Sequence, residues 1–211
     1  MNGLLKKEFF VLRKQLRTWT LLFVLYAAIA VTGVWGPYIL TTLVTVMTLM
    51  TPLSAFGYDQ STGWETFVAT LPGGREKAVG ARYLFCLLVD LAAAALALGL
   101  TLLLGLLGFV DVALDEAAAS TLSCAAVALL MIAVALPLCY KLGVEKARVV
   151  YMAVFLAAFG GGLALVNLLS GRIALPAWLG YALLAAVVPV LAVVMYLSYR
   201  TSVSILRKKE Y

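Results

Sequence analysis

Six predominantly apolar runs constrain this chain more than any other feature: Trp19 to Trp35, Tyr38 to Phe56, Tyr83 to Val110, Ala117 to Tyr140, Val149 to Leu169 and Leu175 to Tyr199. Each is long enough for a helix to cross a hydrocarbon core of roughly 30 Å. The short alternating strands of a membrane barrel are absent. With 64% hydrophobic and 12% charged residues, the composition lies outside the soluble range. The expected fold is therefore all-α and integral to the membrane, a single six-span domain over residues 1–211.

The charges sort by position. Lys6, Lys7, Arg13, Lys14 and Arg17 precede the first run; Arg75, Lys77 and Arg82 follow the second; Lys141, Lys146 and Arg148 follow the fourth; Arg200, Arg207, Lys208 and Lys209 follow the sixth. Only Arg172 falls at the opposite ends, where Asp111, Asp115 and Glu116 also lie. Basic residues flanking spans stay in the cytosol, so both termini are expected there. The net charge of +6 reads as this topology signal, with attraction to anionic lipid secondary and a nucleic-acid footprint not expected. Cys86, Cys124 and Cys139 fall within runs and read as small apolar residues without disulfide or zinc spacing. The absence of histidine removes His-based catalysis and the commonest metal ligand, and no metal site is expected. A long basic stretch before the first run argues against a cleavable leader.

Leu5, Phe9, Leu12 and Leu16 recur at helical spacing with the basic residues largely on the other side. Residues 1–17 are thus expected to form an interfacial amphipathic helix, either an anchor on headgroups or a contact for a cytosolic partner. Gly36 and Pro37 predict a tight outer turn between Trp35 and Tyr38, and Pro52 a kink in the second span. Thr41, Thr45, Thr48 and Thr51 make one hydroxylated stripe, which serves either helix packing or a polar wall of a translocation path. Asp90 is the one carboxylate well inside a run, and its burial demands protein or water around it, for function or for structure. Gly143 turns a compact basic loop at 141–148, Gly160, Gly161 and Gly162 permit close helix approach or a bend, and residues 200–211 form a basic tail.

The longest polar interruption is residues 58–82, YDQSTGWETFVATLPGGREKAVGAR. Thr62 and Glu65 have capping-box spacing, which predicts a helix starting at Gly63. Leu71 precedes Pro72, so that helix should stop near Thr70, and Gly73 with Gly74 permits a sharp turn. So short a helix is marginal alone and needs something to pack against.

No G-x-x-x-x-G-K-[ST] phosphate loop and no nucleophile, acid and base constellation occurs, so the chain is not expected to be an enzyme. The sequence resembles permease subunits of type-2 ABC exporters, in a small branch linked to export of amphipathic and antimicrobial peptides. Three stretches carry the likeness: Tyr58, Asp59, Gly63, Trp64, Leu71, Pro72, Arg75 and Tyr83; then Pro137, Tyr140, Lys141, Gly143, Glu145, Lys146 and Arg148; then Ser198, Tyr199, Lys208, Lys209 and Glu210. Gln60, Gly73, Gly74 and Arg82 depart from that pattern. The resemblance implies two six-span subunits, identical or related, in the plasma membrane of a prokaryote. Each would rest on a cytosolic ATPase that carries the ATP and Mg. It makes the short helix a coupling helix, with Trp64 and Phe67 as anchors and Asp59 and Glu65 as polar contacts, and Gly63, Leu71 and Arg75 in the contact region. Two other classes remain open: an ion-gradient-driven transporter, which would need ionisable residues such as Asp90 at mid-membrane, and a membrane scaffold without transport.

Overall fold

Hydrogen bonding along this backbone persists well beyond the apolar runs. A computed structural model describes residues 2–31, 39–70, 73–109, 113–170 and 177–208. Every element among them is an α-helix: α1 (Asn2–Val31), α2 (Ile39–Thr62), α3 (Trp64–Ala69), α4 (Gly74–Leu106), α5 (Leu114–Leu142), α6 (Val144–Ser170) and α7 (Ala177–Lys208). Among the described residues, three stretches are long and apolar enough to cross a membrane: Gly74–Leu106, Leu114–Leu142 and Ala186–Lys208. A shorter apolar stretch, Arg17–Ala30, lies in α1. The expected turn at Gly36 and Pro37, the loops holding Asp111 and Arg172, Leu71 with Pro72, the end of the tail and the Gly162 side chain lie outside the described residues.

Four boundaries differ from those read in the sequence: residues 141–148 are not a loop, since Gly143 alone separates α5 from α6, and the basic tail is helix as far as Lys208, within α7. No separate interfacial element exists between Asn2 and Arg17, because α1 continues without a break into the apolar half. Nothing near Arg17 to Trp19 is a helix breaker, so the change of polarity leaves the backbone undisturbed. Likewise residues 58–82 are mostly helix rather than loop. α2 extends to Thr62 and α4 begins at Gly74, nine residues before the third apolar run. α4 has 33 residues, a length of about 50 Å, which exceeds a hydrocarbon core and leaves an end projecting from it.

α5 is the central helix, packed against α2, α4, α6 and α7, while α1 lies on α2 and α4. The core joins Leu49, Leu53 and Phe56 of α2 to Val79 and Cys86 of α4, and to Ile132, Leu136 and Cys139 of α5. Outward-facing Leu88, Leu91, Leu96 and Leu103 are more than half exposed. Apolar residues on both inner and outer faces of a helix suit a lipid surrounding, since water would not tolerate so continuous an apolar exterior.

Candidate functional site

Four charged side chains from three helices meet at the basic end of the bundle. Lys7 and Glu8 come from α1, Asp59 from the last turn of α2 and Arg82 from the third turn of α4. Arg82 Nη2 donates to Glu8 Oε1 at 2.6 Å and also to Asp59, while Arg82 Nε reaches Glu8 Oε1 at 3.2 Å. Lys7 Nζ donates to Glu8 Oε1 at 3.2 Å and to the other Asp59 oxygen. Glu8, Asp59 and Arg82 are buried. Two cations and two carboxylates give no net charge, which is what lets the group survive burial: each ion's lost hydration is offset by its neighbours, and any one alone would be strongly unfavourable. The Arg82 guanidinium also lies over the Phe56 ring at 4.5 Å, and Phe56 meets Tyr140 edge-on at 4.7 Å.

This cluster is roofed by the short helix α3. The chain turns through left-handed backbone at Gly63 (φ 64°) before α3 and at Gly73 (φ 66°) before α4, conformations that side-chain-bearing residues adopt at a cost. Between them six residues form a helix of about 9 Å, which ends at Thr70 as the sequence predicts. The expected capping box does not form. Gly63, not Thr62, precedes the first helical residue, and no side chain caps the start. The Thr62 hydroxyl instead donates back to the Tyr58 carbonyl at 2.9 Å, because α2 continues through it. The Glu65 side chain lies outside the described residues.

Val68 is buried and seats α3 on the bundle, whereas Phe67 is 54% exposed. Trp64 is half-buried: its ring receives Lys7 Nζ at 4.7 Å and lies 5.4 Å from Phe67. Trp64 also lines, with Glu8, Asp59 and Arg82, a small cavity of about 30 Å³. Of the residues expected at a partner contact, Phe67 therefore presents an open face and Trp64 a partial one. Asp59 does not, being 4% exposed with both oxygens engaged by Lys7 and Arg82.

The start of α4 is tied to the end of α7. Arg75 Nη1 donates to the carbonyls of Leu206 (3.4 Å) and Arg207 (3.3 Å), groups that a helix end leaves unpaired, and Arg207 pairs with Glu76. Deeper, the Tyr83 hydroxyl lies 2.6 Å from Ser198 Oγ and 2.9 Å from Ser202 Oγ, and Ser198 itself donates to the Ala133 carbonyl. Ser198 has one proton, so Tyr83 donates to Ser198 and accepts from Ser202. Tyr199 packs edge-on against Tyr83 at 5.7 Å. At the second basic stretch Gly143 alone separates α5 from α6, with φ 76°; Val144 is buried, and Lys141, Glu145, Lys146 and Arg148 are exposed. Three stretches far apart in sequence thus converge on one end of the bundle.

The threonine stripe faces inward. Thr41, Thr48 and Thr51 are buried and Thr45 half-buried; Thr45 donates to the Thr41 carbonyl and Thr51 to the Met47 carbonyl, both at 3.1 Å. These are bonds within the helix. Asp90 is 0% exposed on α4, about two turns beyond Arg82, and no ion pair joins it to the cluster. Residue-by-residue reading missed Glu8. Its signal lay in position, three residues after Leu5 and four before Leu12, which puts a carboxylate on the apolar side of an amphipathic helix.

Comparison with known proteins matches the chain to a family described as ABC-2 family transporter protein, whose model covers residues 3–207. No curated protein and no solved structure matches the chain. With nearly its whole length matched, the chain belongs to the ABC-2 transporter family: it is a multi-pass membrane permease of an ABC transporter, a transport subunit rather than the ATPase that drives it.

Proposed function

We propose that this permease exports amphipathic peptides or similar membrane-partitioning molecules, paired with a second permease subunit. A cytosolic ATPase would drive it through α3. The observation that carries this reading is the construction of α3. Val68 holds the helix to the bundle, Phe67 faces out, and Trp64 joins it through Lys7 to the charged cluster shared by α1, α2 and α4. A partner pushing on Phe67 would act on an element bound to three long helices at once. Arg75 and Glu76 extend the connection to α7. The bundle is proposed to span the membrane six times, with α1, α2 and α6 joining the three clearly apolar stretches, and with both termini in the cytosol. An apolar bundle with few interior charges suits a cargo that partitions into lipid, since a strongly hydrophilic solute would find little there to replace its water.

The test is binding of the purified ATPase subunit, and ATP-dependent peptide transport in proteoliposomes, for Phe67→Ala and Trp64→Ala. Truncating an interface anchor typically costs ~2 kcal/mol, roughly a thirtyfold loss of affinity. Phe67→Ala should show this loss. Trp64→Ala should lose less affinity and more coupling, because its ring is turned partly inward, receiving Lys7 and lining the cavity beside Glu8, Asp59 and Arg82. Parent-like binding and transport in both variants would reduce α3 to an ordinary surface turn.

A further inference from the structure

Between the ends of α5 and α7 lies an open groove of about 430 Å³, bordered by Lys141 of α5 and by Thr201, Ser204, Ile205 and Lys208 of α7. Both lysines are exposed, and no ion pair holds either among the described residues. No carboxylate borders the groove; Glu145, the acid nearest Lys141 in sequence, does not. The two hydroxyls differ. Thr201 donates its one proton to the Ser198 carbonyl at 2.7 Å, whereas Ser204, exposed, can donate outward. Two ammonium groups and a hydroxyl, all donors, suit an anionic oxygen group such as a phosphodiester.

Apolar surface continues from the groove along both helices. On α7, Val190, Val193 and Leu197 are more than half exposed and recur at spacings of three and four, on the face that goes on through Thr201, Ser204 and Lys208. On α5, Val127, Leu130, Val134 and Leu138, exposed or half-buried, lead at the same spacings to Lys141. Tyr196, 60% exposed, stands at the change from apolar to polar, where the aromatic residues of spanning helices meet the headgroups. The groove therefore lies at headgroup depth, with apolar tracks running from it into the hydrocarbon.

We propose that this groove binds a phosphate-headed anionic lipid, its phosphodiester between Lys141, Lys208 and Ser204 and its chains along the apolar faces of α5 and α7. The negative surface of an anionic leaflet draws lysines at this depth. An acidic peptide from the cytosol would meet the lysines and leave the apolar tracks unused, whereas a lipid covers both. One headgroup would then bridge the last turns of two helices. The site goes beyond the export reading and does not rest on it.

The experiment is native mass spectrometry of the full-length permease in a neutral detergent, titrated with phosphatidylglycerol or phosphatidylcholine carrying the same acyl chains. Both heads contain a phosphodiester, and only the first has a net charge. The parent should bind its first phosphatidylglycerol roughly thirtyfold more tightly than phosphatidylcholine, the scale for two lysines at an anionic head. Lys141→Gln with Lys208→Gln should remove most of that preference, and Arg at both positions should keep it. Lys6→Gln with Arg13→Gln, exposed cations of α1, is the control and should leave it unchanged. Equal binding of the two lipids by the parent, a comparison that needs no variant to fold, overturns the proposal. A preference that survives in the Lys141 and Lys208 variant overturns it too, as does one lost equally in the α1 control, since the charge would then be read by the basic surface at large. Glycerol 3-phosphate tests the free anion and hexaglutamate the acidic peptide. Displacement of phosphatidylglycerol by an equal concentration of either would end the lipid assignment in favour of that ligand. No ATPase enters the assay, so its failure and a failure of the Phe67→Ala test are separable.

Discussion

Glu8 sits where an amphipathic helix ordinarily puts leucine, and its two cations come from different places: Lys7 beside it and Arg82 seventy-four residues away. Replacing it with Gln leaves Lys7 and Arg82 sharing one carboxylate, Asp59, in a buried place. The expected loss is about 3 kcal/mol of stability, the scale for breaking a buried ion pair on one side only. Glu8→Gln combined with Arg82→Met should lose less than the sum of the two single changes, with a coupling of roughly 1–3 kcal/mol in thermal unfolding of the detergent-solubilised protein. Strict additivity would mean that the two groups do not stabilise one another. The same pair marks what was legible at this scale. The family resemblance assigns Trp64, Phe67 and Arg75 to one contact region; in the structure Trp64 lies against Phe67 and lines one small cavity with Arg75. That Asp59 turns inward was not legible, since its partners Lys7 and Arg82 belong to other helices and only the packing of α1 on α2 and α4 brings them together.

Glycines rather than polar residues end the helices around α3. Hydropathy marked the close of the second run at Phe56 and the opening of the third at Tyr83, whereas the backbone breaks at Gly63 and Gly73. The two criteria differ physically: hydropathy reports where a segment would leave lipid, and a helix continues until its dihedral angles change. The existence of a short helix ending at Thr70 was legible because Pro72 and two glycines bound it; its start was not, because Thr62 found a carbonyl within α2 in place of an amide in α3. Gly63→Ala tests this account. A Cβ there would meet Thr66 Oγ1 at 3.7 Å, an ordinary contact, so the cost is conformational, about 1–2 kcal/mol for a side chain in left-handed backbone. Gly57, within α2 and with open space around its Cβ position, is the control, where Ala should be neutral or stabilise by roughly 0.5–1 kcal/mol. Hydrogen exchange of amides 64–70 should quicken in Gly63→Ala and stay unchanged in Gly57→Ala. Equal protection in both would separate α3 from the geometry of its leading turn.

At the scale of the whole molecule, polar ties gather at one end. The start of α1, the end of α2, the start of α4 and the end of α7 are joined by the Arg82 cluster and by the contacts of Arg75 and Glu76, and Lys141 at the end of α5 borders the same groove as Lys208. The basic segments that sequence position sorted to one side are thus neighbours in space, as an orientation with both termini in the cytosol requires. The far end of α5, by contrast, opens with Asp115 and Glu116 in its first turn. A helix of 29 residues separates these two ends, roughly 44 Å, enough to cross the hydrocarbon core and both headgroup regions. Ala113 and Glu145, both exposed and on either side of α5, should therefore face opposite compartments. With Cys124 replaced by Ala, and Cys86 and Cys139 buried within the bundle, a membrane-impermeant maleimide becomes a clean reporter. Applied to intact cells it should modify Ala113→Cys and spare Glu145→Cys until the membrane is permeabilised. The reverse pattern would invert the molecule and place α3 on the side without ATP. Labelling of both positions from one side would mean that α5 does not cross the bilayer, and the six-span arrangement would fail with it.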